Sequence, residues 1–440
     1  MRLPPHLVAA KCPLWVGMPI DLTPAGKASP YPPGGPRLLP WLGMWAACNA
    51  IGAPIGLLLW PTGVPATGTW FWFCILGIPN LLFAVLLGTA RASYEAIWMH
   101  ACYRNYARQK WLVRKVRQAQ RPLQVLGVGY CLPLGANSLA SVMIDAKPLT
   151  KAQPPRYGSG LPVHNRFDDE SFTPLLVDGE DPPASGSEIK PADRVATTVL
   201  KLEEALATLA ASLHALSQYG PVYAPTVRVV ARPEHATLRA QQVREALRRA
   251  GLPPLECLAT PVEDGLMVAD AWLDAKDRRA VLVVGAEWHD SSPPVGSTEG
   301  CVAVLLNPGF YQLPEPVRVL GTLHRPVTGE ANALGDLLQL ALIWGSAESS
   351  SVPCAWITGL DSRQDSALIA AWKATSQEQL SEADAVRRPD HVVGDAGPLN
   401  PWLSVVAAIT GGMEGPQLIM DRAQAAVLYV TPSSHDESDQ

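Results

Sequence analysis

Two long uncharged stretches near the amino terminus constrain this chain more than any other feature. From Leu38 to Trp60, LLPWLGMWAACNAIGAPIGLLLW runs for 23 residues without a charged side chain, a little more than the roughly 20 that cross a hydrocarbon core. From Trp70 to Ala90, WFWFCILGIPNLLFAVLLGTA is again uncharged, and its Trp70, Phe71 and Trp72 stand where an aromatic belt is expected. The nine residues between, PTGVPATGT, carry Pro and Gly turn signals, so the two helices are expected to form a tight hairpin over 38–90. A cleavable signal peptide does not fit. The first apolar segment is too long, too far from Met1, and followed at once by another span.

Lys and Arg near the ends of spans stay on the cytoplasmic side. After Ala90 come Arg91, Arg104, Arg108, Lys110, Arg114, Lys115, Arg117 and Arg121, with Glu95 the only acid, while Lys11, Lys27 and Arg37 precede the first span. The tail 1–37, the basic segment 91–121 and both termini are therefore expected in the cytoplasm of an inner-membrane protein. A basic run can be a nucleic-acid patch, but beside a span it reads as a topology determinant lying on anionic inner-membrane lipids, and no nucleic-acid partner is expected. The whole chain, with 35 Lys+Arg against 40 Asp+Glu, has no global pull towards either surface. Its eight cysteines are scattered singly, without a C-x-x-C pair or a Cys/His cluster of metal-ligand spacing. This favours a reducing compartment and gives no metal or cofactor to expect.

After Pro122 short β-type runs alternate with longer helical ones, the pattern of an α/β domain over 122–431. Gln124 to Val128 opens it as a strand. Residues 146–193, rich in Pro, Gly, Ser and Asp, read as an insertion. Helical spacing of Val199, Leu202, Leu206, Leu209, Leu213 and Leu216 predicts one helix from Val195 to Tyr219. A strand at Thr226 to Ala231 and helices at Ala236 to Ala250 and Gly265 to Asp277 follow. The apolar AVLVVG of Ala280 to Gly285 is expected at the buried centre of a sheet, with CVAVLL of Cys301 to Leu306 beside it. A second round begins with a strand at Val317 to Leu323, a helix at Leu334 to Ile343, a strand at Ala355 to Thr358 and a helix at Ser366 to Thr375. His391 to Val393, a helix at Pro401 to Thr410 and a strand at Ala425 to Val430 complete it, which suggests an internal duplication. The tail 432–440, ending SSHDESDQ, is acidic and without apolar content, and is expected to be disordered.

The chain has no G-x-x-x-x-G-K-[ST], no G-x-S-x-G and no H-E-x-x-H, the common phosphate-binding, serine-hydrolase and zinc-protease signatures. GVGYCLPLG at Gly127 to Gly135 lacks dinucleotide-binding spacing and reads as a structural turn. Glu287, Trp288, His289 and Asp290 follow a central strand, where α/β proteins place ligands. Glu287, His289 and Asp290 are ligand-site candidates of metal or acid-base type, against the plainer reading of a solvated or hydrogen-bonded loop.

Two passages carry a resemblance. AVLVVGAEWHD followed by STEGCVAVLLN, and VVGDAGPLNPWLSVVAAIT, resemble segments of the thiolase-fold family of ketoacyl synthases and thiolases. The resemblance spans Gln124 to Thr431 and implies a duplicated βαβαβαββ domain packed as a five-layered sandwich. An active member needs a cysteine at a helix N-terminus, where dipole and free N–H groups favour thiolate, with histidines to handle the thioester. Counting back from AVLVVG places that cysteine near Thr260, Cys257 being three residues early, and Asp395 stands where the second passage would carry histidine. ITGLDSRQD, after the Ala355 strand, offers no histidine either. Thr260 and Asp395 are thus degenerate positions, since a carboxylate cannot replace imidazole at neutral pH.

A membrane hairpin joined to such a pseudoenzyme domain further resembles the type VI secretion lipase adapter family. That resemblance implies a non-catalytic adapter or chaperone that binds a secreted phospholipase effector and helps load it onto the VgrG spike protein. The thiolase fold also implies a possible homodimer. The rival readings are a membrane-tethered acyltransferase of lipid metabolism using Cys257 with His289 or His324, and a structural membrane scaffold.

Overall fold

The computed structural model describes residues 20–34, 38–174, 194–330, 333–347, 352–382 and 384–432. The chain divides into two compact units, one built on Asp21–Val116 and one running from Arg117 onward. In the first, α1 (Leu38–Leu58) is followed by one turn of helix at Thr69–Trp72, a π-helical turn at Phe73–Gly77 and the 42-residue α2 (Ile78–Ala119). The π-turn precedes Pro79, which has no N–H to continue the ladder. Both helical stretches are long and apolar enough to cross a membrane. Their leucines face outward, Leu38, Leu39 and Leu58 each being more than four-fifths exposed, a surface that water would penalise and lipid would not.

A polar clamp joins the two helices. Trp45 Nε1 donates to Asn80 Oδ1 at 2.7 Å, and Asn80 Nδ2 donates to Asn49 Oδ1 at 3.1 Å. Gly52 sits against Pro79 where any Cβ would collide, the small-residue contact that lets apolar helices approach closely in lipid. The basic residues expected as a separate segment after Ala90 instead continue α2 without a break as far as Ala119. The stretch Asp21–Gly34 lies along this basic half, with Asn105 exchanging hydrogen bonds with Ser29 and Arg108 donating to the Gly26 carbonyl.

The second unit is built on ten strands of one sheet: β1 (Leu123–Cys131), β2 (Thr226–Val230), β3 (Cys257–Thr260), β4 (Val281–Glu287), β5 (Gly300–Asn307), β6 (Gly321–Leu323), β7 (Cys354–Thr358), β8 (Val386–Arg387), β9 (Gly415–Asp421) and β10 (Gln424–Val430). The first five run in the order β3-β2-β4-β5-β1 and the second five in the order β8-β7-β9-β10-β6. In each half the first three strands of that order are parallel and the last two antiparallel to their neighbours. The internal duplication is therefore real in topology. Antiparallel pairing of β1 with β6 joins the halves edge to edge.

Period-two alternation explains the layering. In β4, Val281 and Val283 face an inner core while Leu282 and Val284 face an outer one. All eight residues of β5 are buried, as a strand covered on both faces requires. The outer core is closed by α4 (Thr197–Ala207), α5 (Ala210–Ser217) and α6 (Ala236–Arg249). The inner core holds α3 (Leu139–Asp145), α7 (Met267–Ala275) and α10 (Asn400–Thr410), the last touching strands of both halves. On the far side, α8 (Leu334–Trp344) packs on β10 and on α9 (Ser362–Ala374). The five layers are thus helix, sheet, helix, sheet, helix.

Several expected boundaries are corrected. The single helix over 195–219 is two, because Thr208 Oγ1 donates to the Val128 carbonyl and breaks the run before α5. The strand over 317–323 is reduced to β6, since Pro314 and Pro316 turn the chain first. The helix expected from Ser366 starts at Ser362, where Asp361 and Gln364 form a capping box. Residues 389–392 form a helical turn. The glycines of GVGYC lie inside β1, where a Cβ on Gly129 would strike the Ala205 carbonyl of α4. They mark close packing, and no turn begins until after Cys131. Within the insertion, short strands at Lys151–Ala152, Val163–Asn165 and Phe172–Pro174 are seen. Residues 175–193 and the acidic tail from Ser433 lie outside the described residues.

Candidate functional site

The turn between β3 and α7 is where a thiolase-like nucleophile is expected. Thr260 is not at the helix start; it is the last residue of β3, buried, and its carbonyl accepts from the Ala231 N–H. A 3-10 turn at Val262–Asp264 takes up the next residues, and the sharp bend falls on Gly265 with φ 45° and ψ −121°. Side-chain-bearing residues adopt such a conformation only under strain. Gln424, the first residue of β10, fills the space above the bend. Its Oε1 accepts from the Leu266 N–H at 2.8 Å, and its Nε2 donates to the Glu263 carbonyl at 3.0 Å. A Cβ built on Gly265 would lie 2.5 Å from that Oε1. The bend thus carries no side chain, and a side-chain amide from the other half occupies its N-terminal face.

Asp395, the other degenerate position, and the ITGLDSRQD passage that offers no histidine are equally committed to structure. Asp395 Oδ1 accepts from the Gly397 N–H and from Asn400 Nδ2, both at 2.7 Å, holding the turn into α10. At the end of β7, Thr358 donates to Asp421 Oδ1 at 2.8 Å, and burial pushes the Asp421 carboxyl up to about 6. Asp361 caps α9.

The second candidate, around Glu287 to Asp290, does form a cavity. It lies at the carboxyl ends of β2 and β4, has a volume of about 700 Å³, and is walled by Arg232, Arg239, Glu287, His289, Asp290 and the start of α4. Glu287 pairs with Arg232 at 3.0 Å and stands 3.8 Å from His289 Nε2. Burial raises the Glu287 carboxyl above its usual range despite Arg232, and lowers His289 to about 4, so the imidazole is neutral at pH 7. Asp290 accepts from Trp288 Nε1 at 3.0 Å and from the Ser171 hydroxyl. Among the described residues no group of three His, Cys, Asp or Glu side chains is placed to hold a metal ion.

Beneath this cavity lies a polar hub that the sequence reading missed. The fully buried Glu299, just before β5, takes a bidentate pair of hydrogen bonds from Arg156 and single ones from the Phe167 and His289 N–H groups. Arg156 also donates to the carbonyls of Phe167, Asp169 and His289 and stacks at 4.0 Å on Trp288. Every oxygen of the carboxylate is satisfied, which a buried ion pair needs. The only signal in the sequence was a glutamate at the mouth of an otherwise apolar strand.

Cys257 does not meet either histidine of the rival reading. It is in register with Val227 and, through it, with Leu282, and His289 follows Leu282 by seven positions, roughly 20 Å along the strands. His324 follows β6, whose place in the sheet is five strand spacings from β3, roughly 24 Å away. Its ring rests on Tyr429. Burial also raises the Cys257 thiol, which disfavours the thiolate.

No protein-family model and no curated protein matches this sequence. Solved structures similar to it include a ketosynthase domain of oxazolomycin synthesis from Streptomyces albus. That domain is 14% identical, with 71% of this chain and 96% of that chain covered and a TM-score of 0.46. The 3-oxoacyl-[acyl-carrier-protein] synthase III of Aquifex aeolicus is 14% identical, with 70% and 100% covered and a TM-score of 0.40. The peroxisomal 3-ketoacyl-CoA thiolase of Saccharomyces cerevisiae, described as five-layered and built from two core domains of identical topology, is 9% identical, with 71% and 98% covered and a TM-score of 0.43. These likenesses are distant. The strand order repeated in the two halves here is seen in the chain itself.

Proposed function

We propose that this chain is a non-catalytic adapter tethered to the inner membrane, with both termini and the thiolase-like unit in the cytoplasm. The observation that carries the non-catalytic reading is the bend at Gly265, which has no side chain and whose following N–H is held by Gln424. A nucleophile at that place would need both a reactive side chain and free N–H groups. The hairpin, the basic half of α2 and the lack of a side chain at the Gly265 bend together favour the reading implied by the type VI secretion lipase adapters. In that reading the unit binds a secreted phospholipase effector and delivers it to the VgrG spike, the basic half of α2 rests on anionic lipid, and no nucleic acid is bound.

The test is affinity purification of the tagged full-length chain from its host in mild detergent, with mass spectrometry of co-purifying chains. Enrichment of a phospholipase and a spike protein is the expected result. Acyl carrier protein in their place, together with labelling of Cys257 by an acyl thioester analogue, would reinstate an acyltransferase.

A further inference from the structure

The polar clamp of the hairpin lies on an outer face and is not saturated. Asn49 follows Leu38, the first residue of α1, by eleven positions, about 17 Å along a helix rising 1.5 Å per residue. A hydrocarbon core is about 30 Å thick, so the clamp stands near mid-depth, where lipid offers neither donor nor acceptor. Yet the helices do not seal it between them. Trp45 is 45% exposed, Asn80 is exposed and Asn49 is half-buried.

Counting hydrogen bonds leaves one donor and one acceptor over. Asn80 Nδ2 donates both its hydrogens, to Asn49 Oδ1 and to the Leu76 carbonyl at 2.7 Å. Asn49 Nδ2 donates one hydrogen to the Trp45 carbonyl at 3.0 Å, and among the described residues nothing takes the other. Asn80 Oδ1 accepts from Trp45 Nε1, and an amide oxygen has a second lone pair. The spare N–H and the spare lone pair sit on side chains bonded to each other, and in hydrocarbon each is costly to leave unpaired.

We propose that two copies of this chain pair through the hairpin, Asn49 Nδ2 of each donating to Asn80 Oδ1 of the other. Copies inserted the same way carry their clamps at the same depth, and a two-fold axis along the membrane normal sets each donor opposite the other's acceptor. A second copy therefore meets the depth and the polarity together, which neither lipid nor an arbitrary apolar helix does. Ala46 and Ala84, one helical turn from Asn49 and Asn80, are exposed and small, so the backbones can approach closely. The pairing rests on the membrane reading of the hairpin and stands whether or not an effector binds.

The test reconstitutes full-length copies, labelled at the carboxyl terminus with donor or acceptor fluorophore, into liposomes and follows energy transfer as lipid dilutes them. Alkaline carbonate extraction is run first; release of the chain would overturn the membrane reading and the pairing with it. For retained chain, transfer that falls along a dimer dissociation curve is expected. Asn49→Leu keeps the Trp45–Asn80 bond and the Gly52–Pro79 contact within the hairpin, and should raise the dissociation constant about tenfold. Val85→Ala, exposed and about 140° round α2 from Asn80, should leave it unchanged. If Asn49→Leu is not recovered in the bilayer, Ala84→Leu serves instead and should weaken pairing severalfold. No transfer between retained copies, as when another membrane protein covers the clamp, would overturn the proposal. So would a dissociation constant unmoved by the substitution, the result expected if copies associate through the second unit alone.

Discussion

At the scale of single residues, the bend before α7 leaves no room for a side chain. Gly265→Ala would place a Cβ 2.5 Å from Gln424 Oε1 in a backbone conformation with φ 45°. The expected loss is roughly 1–3 kcal/mol, read from the denaturant midpoint of the full chain, with the slope unchanged. Sequence reasoning came within five residues of this position. Counting back from AVLVVG reached Thr260, because the 3-10 turn at Val262–Asp264 leaves no periodic trace. Asp421 gives a pH signature. Its folded pKa of about 6 lies above the ordinary 3.8 because of burial, so the native state holds the proton more tightly than the unfolded chain does. Stability contributed there is complete below about pH 4 and lost as pH rises towards 6. Asp421→Asn should flatten that segment of the curve of unfolding free energy against pH, by roughly 1–3 kcal/mol. His289 opposes it, since a histidine lowered to about 4 costs stability as pH falls from 6.5 towards 4; only the single variants separate the two.

At the scale of elements, the Arg156–Glu299 hub ties the insertion to the mouth of β5. Glu299→Gln would leave the Arg156 guanidinium buried without its anion, at a cost of roughly 3–5 kcal/mol. Limited proteolysis should then cut first between 156 and 169, where Arg156 otherwise holds the carbonyls of Phe167 and Asp169. Cleavage elsewhere, or none, would mean that the insertion is held by other contacts. Nothing in the sequence pairs these two residues, which stand 143 positions apart. Strands β4 and β5 were legible because both their faces are buried and both read as apolar runs. Strand β9 was not, because it opens Gly-Pro-Gln and its fully buried Gln417 bonds Trp356 Nε1. Strand β3 is only four residues long, with two exposed.

At the scale of the whole molecule, the unit from Arg117 onward has its own two cores, so removal of residues 1–116 should leave a water-soluble protein that unfolds cooperatively. An adapter would keep its ligand in that form and a membrane scaffold would lose it, as co-precipitation would show. Composition announced the two long apolar helices plainly, yet suggested a change of element at Ala90 where none occurs. The apolar and basic halves of α2 share one uninterrupted helix of 42 residues, about 63 Å long. That continuity is a mechanical fact as much as a topological one. A pull at one end of α2 is resisted by backbone hydrogen bonds in series along its whole length, with no slack loop between its apolar and basic halves to absorb the force.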